Sequence, residues 1–296
     1  MLSEKTMRTW ASKVESFEDV PSTFKDYIEP LIKEQPSFPY TVYAPASRWG
    51  RSKNNAILTS VIDNTIYFFE KAKKNVTMKF YHFNDIDYVE IGTILLCSWF
   101  RVAGKSNGIP TCSQVDFNTV GDRWFKYLID LIRLSVNRME GQSDTSKELD
   151  KFNYLSSLNY KFMNYARNSI KKGEKVINIL LQPTVFVKSF KIFNKVFYKT
   201  ASNAHINILT EKELIIIKDA DNRFWKYGGI STFIPLEKIN DIVFDSEEKG
   251  ELLYLTVKLK ENDCIRSIFE VSNKQNLELL IDKFTCIKSN GIRICV

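Results

Sequence analysis

The chain has 296 residues, of which 44% are hydrophobic and 26% charged, and its formal net charge at pH 7 is +7. This length suits two domains of about 100–150 residues, and the hydrophobic fraction argues against a disordered chain. No run of about 18 apolar residues occurs and residues 1–20 lack an apolar stretch, which argues against a transmembrane helix and a signal peptide.

The first part of the chain predicts a helix, a series of strands and a second helix. Residues 23–34 (TFKDYIEPLIKE) place apolar side chains at helical spacing, with Pro30 expected to bend the helix. Short β-branched and aromatic segments follow, separated by turn signals such as Asp63-Asn64, and predict six or seven strands. Residues 120–136 (VGDRWFKYLIDLIRLSV) then have the spacing of an amphipathic helix.

The same order of elements recurs after a polar stretch at residues 140–148, which predicts a linker. Residues 208–217 parallel residues 60–69 at an offset of 148, and Leu280 corresponds to Leu128 at an offset of 152. Offsets that drift slowly along one order of elements indicate duplication with loop insertions. We therefore predict two copies of one module, in residues 1–139 and 149–296.

Each copy resembles the bacterial PH-like families of the PH/GRAM superfold (PH, pleckstrin homology). The resemblance implies an α+β fold that is mainly β, with two partly open antiparallel β-barrels, each capped by a C-terminal amphipathic helix. It rests on three features of each copy: a strand–turn–strand (residues 58–69 and 208–217), the step into the next hairpin (81–86 and 234–239) and the closing helix (120–136 and 273–287).

A helix over the open end of such a sheet would bury apolar edges that could otherwise pair with other chains. We expect this role for apolar side chains at helical spacing in the two closing helices. They are Trp124, Phe125, Leu128 and Leu131 in the first helix, and Leu277, Leu280, Ile281 and Phe284 in the second.

No catalytic, metal-binding or cofactor-binding motif stands out. His82 and His205 lie near no carboxylate or cysteine at metal-ligand spacing, and we expect structural or surface roles for both. Cys112 and Cys264 match across the repeat, which favours small buried side chains. We therefore expect no enzyme, no cofactor and no metal. The five cysteines form no CxxC pair and predict reduced thiols in a cytoplasmic protein.

The positive charge is concentrated in residues 167–199, which hold eight basic residues and one acidic residue. Four lysines and three phenylalanines recur there at complementary spacing, so residues 187–199 can be interpreted as a helix that is basic on one face and aromatic on the other. The strand pattern is less regular. One alternative is a binding surface, and the other is a solvated face whose phenylalanines pack inward.

The equivalent segment of the first copy, residues 46–53, is also basic and carries a tryptophan. In many PH domains the connection between the first two strands lines the site for an anionic head group, so the resemblance implies that both segments bind a ligand or partner. The candidate binding residues are Arg48, Trp49, Arg51, Lys53, Lys188, Lys191, Lys195 and Lys199.

Three functions remain open at this stage. The first is a non-enzymatic binding or scaffold protein whose paired modules hold a protein partner, with avidity from two linked sites. The second is peripheral binding to anionic membrane lipid through residues 186–199. The third is nucleic-acid binding, for which basic residues between aromatic residues are suitable.

Overall fold

The computed structural model describes residues 10–49, 52–73, 75–136, 144–193, 195–220, 228–246, 251–260 and 263–290. The chain divides into two compact units, residues 1–138 and 139–296. Both units combine antiparallel sheets with helices, and strands predominate, so the predicted α+β class is confirmed.

Unit 1 contains two antiparallel sheets, a small hairpin and two long helices. Its described elements are β1 (Ser12–Val14), α1 (Ser22–Ile32), β2 (Tyr40–Ala44), β3 (Ser47–Trp49), β4 (Ser52–Asn54), β5 (Ala56–Ile62), β6 (Thr65–Ala72), β7 (Asn75–His82), β8 (Ile86–Ile94), β9 (Cys97–Ser106), β10 (Ile109–Asn118) and α2 (Asp122–Val136). Strands β2, β5, β6 and β7 pair in that order, with β1 added beside β2. Strands β8, β9 and β10 form a second meander, and β3 pairs with β4.

Unit 2 has the same kinds of elements. They are α3 (Thr145–Asp150), α4 (Leu155–Leu158), α5 (Tyr160–Ser169), β11 (Val176–Gln182), β12 (Val185–Ile192), β13 (Lys195–Ser202), β14 (His205–Thr210), β15 (Glu213–Lys218), β16 (Gly228–Pro235), β17 (Ile239–Ser246), β18 (Leu252–Leu259), β19 (Cys264–Glu270) and α6 (Lys274–Asn290). Strands β11, β14, β15 and β16 pair in order, as do β17, β18 and β19, while β12 pairs with β13. Helix α3 begins inside the segment predicted as a linker.

The two units follow one order: a helix, four paired strands interrupted by a hairpin after the first, three paired strands and a closing helix. Helix α1 lies against β5 and β6, and α5 lies against the corresponding β14 and β15. The predicted turn at Asp63-Asn64 is present, and both residues have the positive φ (48° and 58°) that such a two-residue turn needs. Within the described residues neither unit forms a closed barrel.

The first half of strand β6 in unit 1 packs on both of its faces, in keeping with the apolar run at residues 66–69. Phe69 packs in a cluster with Phe24 of α1. The neighbouring Phe68 points to the other side, where its ring centroid lies 6.1 Å from that of Phe100 in β9. Phe100 in turn lies 5.7 Å from Phe125 of α2. A chain of aromatic contacts therefore joins the first sheet, the second sheet and the closing helix.

The closing helices bury most, but not all, of the side chains predicted to cover the sheets. In α2, Phe125 and Leu128 are buried, whereas Trp124 and Leu131 are partly exposed. The buried face of α2 also includes Ile129 and Ile132, each of which lies one residue after a predicted position. In α6 the buried side chains are Leu277, Leu280 and Phe284, and Ile281 is partly exposed.

Replacing the central aromatic side chain of α2 tests this packing. Phe125→Ala should lower the free energy of unfolding of unit 1 by about 3–5 kcal/mol, because it removes a fully buried ring and leaves a cavity between three elements. Leu134→Ala on the exposed side of the same helix is the matched control and should change it by less than about 0.5 kcal/mol. Denaturant unfolding of both variants measures the difference, and equal effects would contradict the packing role of Phe125.

Candidate functional site

The basic and aromatic segment of unit 2 is a β-hairpin, so the interpretation of residues 187–199 as a helix is wrong. Strands β12 and β13 pair antiparallel, and in the described part of the chain they pair only with each other. The segment is rich in valine, phenylalanine and tyrosine, which favour strands, and this preference prevails over the helical spacing of its lysines. We call residues 185–202 the basic hairpin.

A register shift between Lys188 and Phe190 changes which side chains of β12 lie on each face of the basic hairpin. Beyond this bulge, Phe190 pairs with Phe197, and their rings stack with centroids 4.6 Å apart. Before it, Lys188 pairs with Tyr198 on the opposite face. Because a bulge shifts the alternation of side chains, the pattern looked irregular in the sequence. Each face carries both lysines and aromatic residues.

The aromatic side chains of the basic hairpin are exposed. The exposed fraction is 94% for Phe193, 60% for Phe186 and Tyr198, 53% for Phe190 and 41% for Phe197. The alternative in which the phenylalanines pack inward is therefore wrong. A monomeric protein seldom presents so many large apolar side chains on one projection unless that surface binds something.

The charge of the basic hairpin is uniformly positive. Residues 185–202 contain Lys188, Lys191, Lys195 and Lys199 and no aspartate or glutamate. Lys188, Lys195 and Lys199 are exposed, and among the described residues none of these three is in an ion pair. Lys191 lies in β12 opposite Val196, and its side chain is outside the described part of the structure.

The tip of the hairpin holds a phenylalanine in a backbone conformation that suits glycine or asparagine. Phe193 has φ 51°, in the left-handed region, where a bulky L-residue is strained by about 1–2 kcal/mol. Its side chain gains no packing in return, because it is almost completely exposed. Strain of this kind is characteristic of positions where the side chain has a task other than folding.

The predicted site of unit 1 lies at the same place in the order of strands. Its hairpin, β3–β4, follows the first strand of the four-stranded sheet, as the basic hairpin does in unit 2. Arg48 pairs with Lys53 across this hairpin, and Trp49 pairs with Ser52. Arg51 lies outside the described residues, as do the side chains of Arg48, Trp49 and Lys53.

The base of the basic hairpin rests on two buried polar side chains that the sequence did not single out together. Gln182 ends β11 and His205 begins β14, and the two are direct cross-strand partners. Gln182 is completely buried and His205 is 2% exposed. They flank the two connections through which the hairpin leaves the sheet. Only strand pairing shows this, since 22 residues separate them.

His205 is held as a neutral imidazole. Its Nδ1 donates a hydrogen bond to the backbone carbonyl of Asn203 (3.1 Å). Its ring packs edge to face against the ring of Phe269, with the ring centroids 4.7 Å apart. Burial lowers the pKa of His205 from 6.5 to about 4, and the positive charge of Lys218 acts in the same direction. His205 is thus a buried residue of the core. His82 is exposed and is hydrogen-bonded to Thr65 through Nδ1.

The thiols differ from expectation in two ways. Cys112 and Cys264 are exposed and not buried, and both lie in strands at the edge of a sheet, β10 and β19. Cys286 is disulfide-bonded, so the prediction of five reduced cysteines is wrong at this position. Spacing along the chain does not show which thiols approach each other in space. Cys97 is a free thiol whose pKa is raised by burial.

The buried carboxylates of unit 2 are engaged in the fold. Glu148 accepts hydrogen bonds from the backbone N–H of Val176 and from Lys151, both at 2.7 Å. Glu174 accepts a 2.6 Å hydrogen bond from Thr210 and another from the backbone of Lys171. These contacts tie the helical segment to β11 and to the turn after β14.

Unit 1 has a polar groove of about 400 Å³, lined by Asp63, Asn64, His82, Phe83, Asn84 and Ser135. Asp63 accepts a hydrogen bond from Gln35, which occupies one carboxylate oxygen. Among the described residues, no group of three or more histidine, cysteine or acidic side chains is arranged to hold a metal ion. No helix of the described part is long and apolar enough to span a bilayer.

Comparison with known proteins assigns no function. No protein-family model matches the chain, and no relative was found among curated proteins. The basic hairpin is therefore the feature on which a function can be argued.

A substitution at the tip tests whether Phe193 contributes to the stability of unit 2. Phe193→Asn should leave the free energy of unfolding of unit 2 unchanged or raise it by up to about 1 kcal/mol, because asparagine tolerates the left-handed conformation and no packing is lost. Phe190→Asn makes the same chemical change within the strand and should lower it by about 0.5–1.5 kcal/mol through loss of the stack on Phe197. Denaturant unfolding compares the two, and a marked loss of stability in Phe193→Asn would contradict the interpretation.

Proposed function

We propose that this chain is a non-enzymatic binding protein of two PH-like modules, and that it docks on anionic phospholipid membranes through the basic hairpin. One observation supports this proposal: the basic hairpin carries exposed aromatic side chains and lysines and has no acidic residue. A phospholipid interface offers apolar and anionic groups within a few ångströms of each other, which matches this combination.

The PH-like assignment is supported by the order of elements. In each unit, four strands, three strands and a closing helix follow one another, and an extra hairpin interrupts the first connection. In the PH resemblance this connection is the one associated with anionic head groups. The sequence placed candidate residues in both such connections, and in unit 2 the exposed lysines and aromatic side chains support a binding role.

The distribution of side chains favours a bilayer over a protein groove. Phe190 and Phe197 with Lys195 and Lys199 occupy one face, and Lys188 shares the other with Tyr198 and Phe186. A protein partner would have to enclose both faces to cover these residues, whereas a fluid interface surrounds any projection that enters it. A protein partner, which the sequence favoured, remains a prediction and is an outcome of the test below.

The expected energies correspond to weak, reversible docking. Each lysine near an anionic surface contributes about 1 kcal/mol at best, and complete burial of a phenylalanine contributes about 1.5–3 kcal/mol. The lysine stems can lie along apolar surface while their ammonium groups stay among the head groups. Four lysines and one inserted phenylalanine together contribute at most about 5.5–7 kcal/mol, which corresponds to a dissociation constant of about 10–100 μM before the cost of association is subtracted.

The hairpin cannot enter the hydrocarbon core deeply. Strands β12 and β13 pair only with each other among the described residues, so the backbone groups on their outer edges need water or polar head groups as partners. Insertion is thus confined to the tip and the interfacial region. This is the depth at which tyrosine, phenylalanine and lysine are jointly favourable.

Sedimentation with lipid vesicles tests the proposal. The full chain should pellet with phosphatidylcholine vesicles that contain phosphatidylserine and not with phosphatidylcholine alone. The quadruple Lys→Gln variant at 188, 191, 195 and 199 should bind about a hundredfold more weakly, because it removes the attraction to the anionic surface. Phe193→Ser should weaken binding by at least about tenfold through loss of the inserted ring.

The matched control removes the same charge elsewhere in unit 2. Lys147, Lys172, Lys260 and Lys274 are exposed, and their joint replacement by glutamine should leave vesicle binding within about threefold of the wild type. Equal losses in the two quadruple variants would show that net charge alone matters and would contradict a hairpin site. Hairpin-dependent capture of a protein or a nucleic acid, without vesicle binding, would replace the membrane by that partner.

A further inference from the structure

The base of the basic hairpin is built around the amide of Gln182. Its Oε1 accepts hydrogen bonds from the backbone N–H of Glu270 (3.0 Å) and from Nδ2 of Asn273 (2.8 Å). Its Nε2 donates to the carbonyl of Pro183 at 3.0 Å. This one buried side chain therefore connects the segment that leads into β12 with the end of β19 and with the turn before α6.

His205 makes the matching contact on the other connection. Its Nδ1–H holds the carbonyl of Asn203, in the segment that returns from β13, and its ring packs against Phe269 of β19. Because Gln182 and His205 are cross-strand partners, both connections of the hairpin are held at one point, against one strand. The two residues position the hairpin relative to the body of unit 2.

We propose that Gln182 and His205 form an acid-sensitive clamp that fixes the orientation of the basic hairpin and releases it when His205 takes up a proton. The clamp itself does not depend on what the hairpin binds. Its consequence for docking rests on the membrane-binding function proposed above.

The physical reason lies in Nε2 of His205. This atom is buried and has no hydrogen-bond partner among the described residues. A proton on it would place an unpaired donor and a positive charge in the interior. The charged group across from His205 is Lys218 of β15, which repels that charge, and the contact from β19 is the apolar ring of Phe269. Glu270 contributes its backbone N–H to Gln182, and its side chain is exposed. Protonation therefore requires the base of the hairpin to open to water.

The size of the effect follows from the two protonation equilibria. In the closed state the pKa of His205 is about 4, and in an open, hydrated state it returns to its ordinary value of about 6.5. Above about pH 6.5 both states are neutral and the clamp is at its tightest. Between about pH 6.5 and 4 only the open state binds a proton, so the opening equilibrium rises by about thirtyfold from pH 7.5 to pH 5.

Hydrogen exchange of the full chain measures this opening directly. After correction for the intrinsic pH dependence of exchange, amides at the ends of β12 and β13 near the base should lose about thirtyfold of their protection over that pH range. Amides in β15 and β18 should keep theirs. His205→Gln should abolish the pH dependence at the base, and His82→Gln, the exposed histidine of unit 1, should retain it.

A second variant keeps the clamp testable if His205→Gln does not fold. Gln182→Met removes the hydrogen bonds to Glu270 and Asn273 but leaves the imidazole, so the base should exchange faster at every pH while the pH dependence persists. Equal loss of protection in β15, β18 and the base would indicate global acid unfolding and would overturn the clamp. A wild-type base whose protection is independent of pH would overturn it as well.

Vesicle binding measured at the same pH values separates this inference from the function on which it rests. If binding to phosphatidylserine vesicles changes with pH in the wild type and not in His205→Gln, both are supported. A pH-dependent base without any vesicle binding would leave the clamp standing and refute membrane docking. Vesicle binding by a protein whose hairpin base exchanges independently of pH would support membrane docking and refute the clamp.

Discussion

Burial of the middle strands on both faces is the constraint on which each unit depends. All six side chains of β14 are buried, as are five of the six in β15, because a helix covers one side of the sheet and other core elements fill the opposite side. In unit 1, β5 and β6 are buried in the same way between α1 and the aromatic chain that leads to α2. Strands packed on both sides cannot present a binding surface, so recognition is left to the connections between them.

The first connection of each sheet is where the two units differ most. In unit 1 it is a hairpin with strands of three residues, and in unit 2 the strands have eight residues each. Eight residues extend over about 26 Å, which is enough to carry aromatic and basic side chains away from the body of the unit. The core does not need these side chains, and they are therefore free to serve binding. The strained, exposed Phe193 shows this separation most clearly.

Polar residues enter the interior of unit 2 at the base of this hairpin. Both polar atoms of the Gln182 amide have hydrogen-bond partners, whereas His205 bonds through one ring nitrogen and leaves the other without a partner among the described residues. The acid-sensitive clamp proposed above depends on this difference between a bonded amide and an imidazole with one unpartnered nitrogen.

The sequence alone determined the class of the fold and the positions of most elements. Alternating β-branched and aromatic segments predicted the strands, the Asp63-Asn64 turn was evident from its residue types, and the spacing of Phe125 and Leu128 predicted the closing helix of unit 1. These features depend on local preferences and on the period of apolar residues, which a single sequence shows. The sequence also located the basic segment, because charge is a property of composition.

Only the tertiary structure decided what that segment is and how it is held. A bulge near Ser189 interrupts the alternation of side chains between the two faces of the hairpin. The lysines are therefore spaced by three or four residues, as on a helix, although they lie on two strands. Whether the phenylalanines pack inward depends on what else covers them, and nothing in their spacing shows this. The pairing of Gln182 with His205 joins residues on either side of the hairpin, and such non-local contacts arise from strand pairing and not from neighbours in the chain.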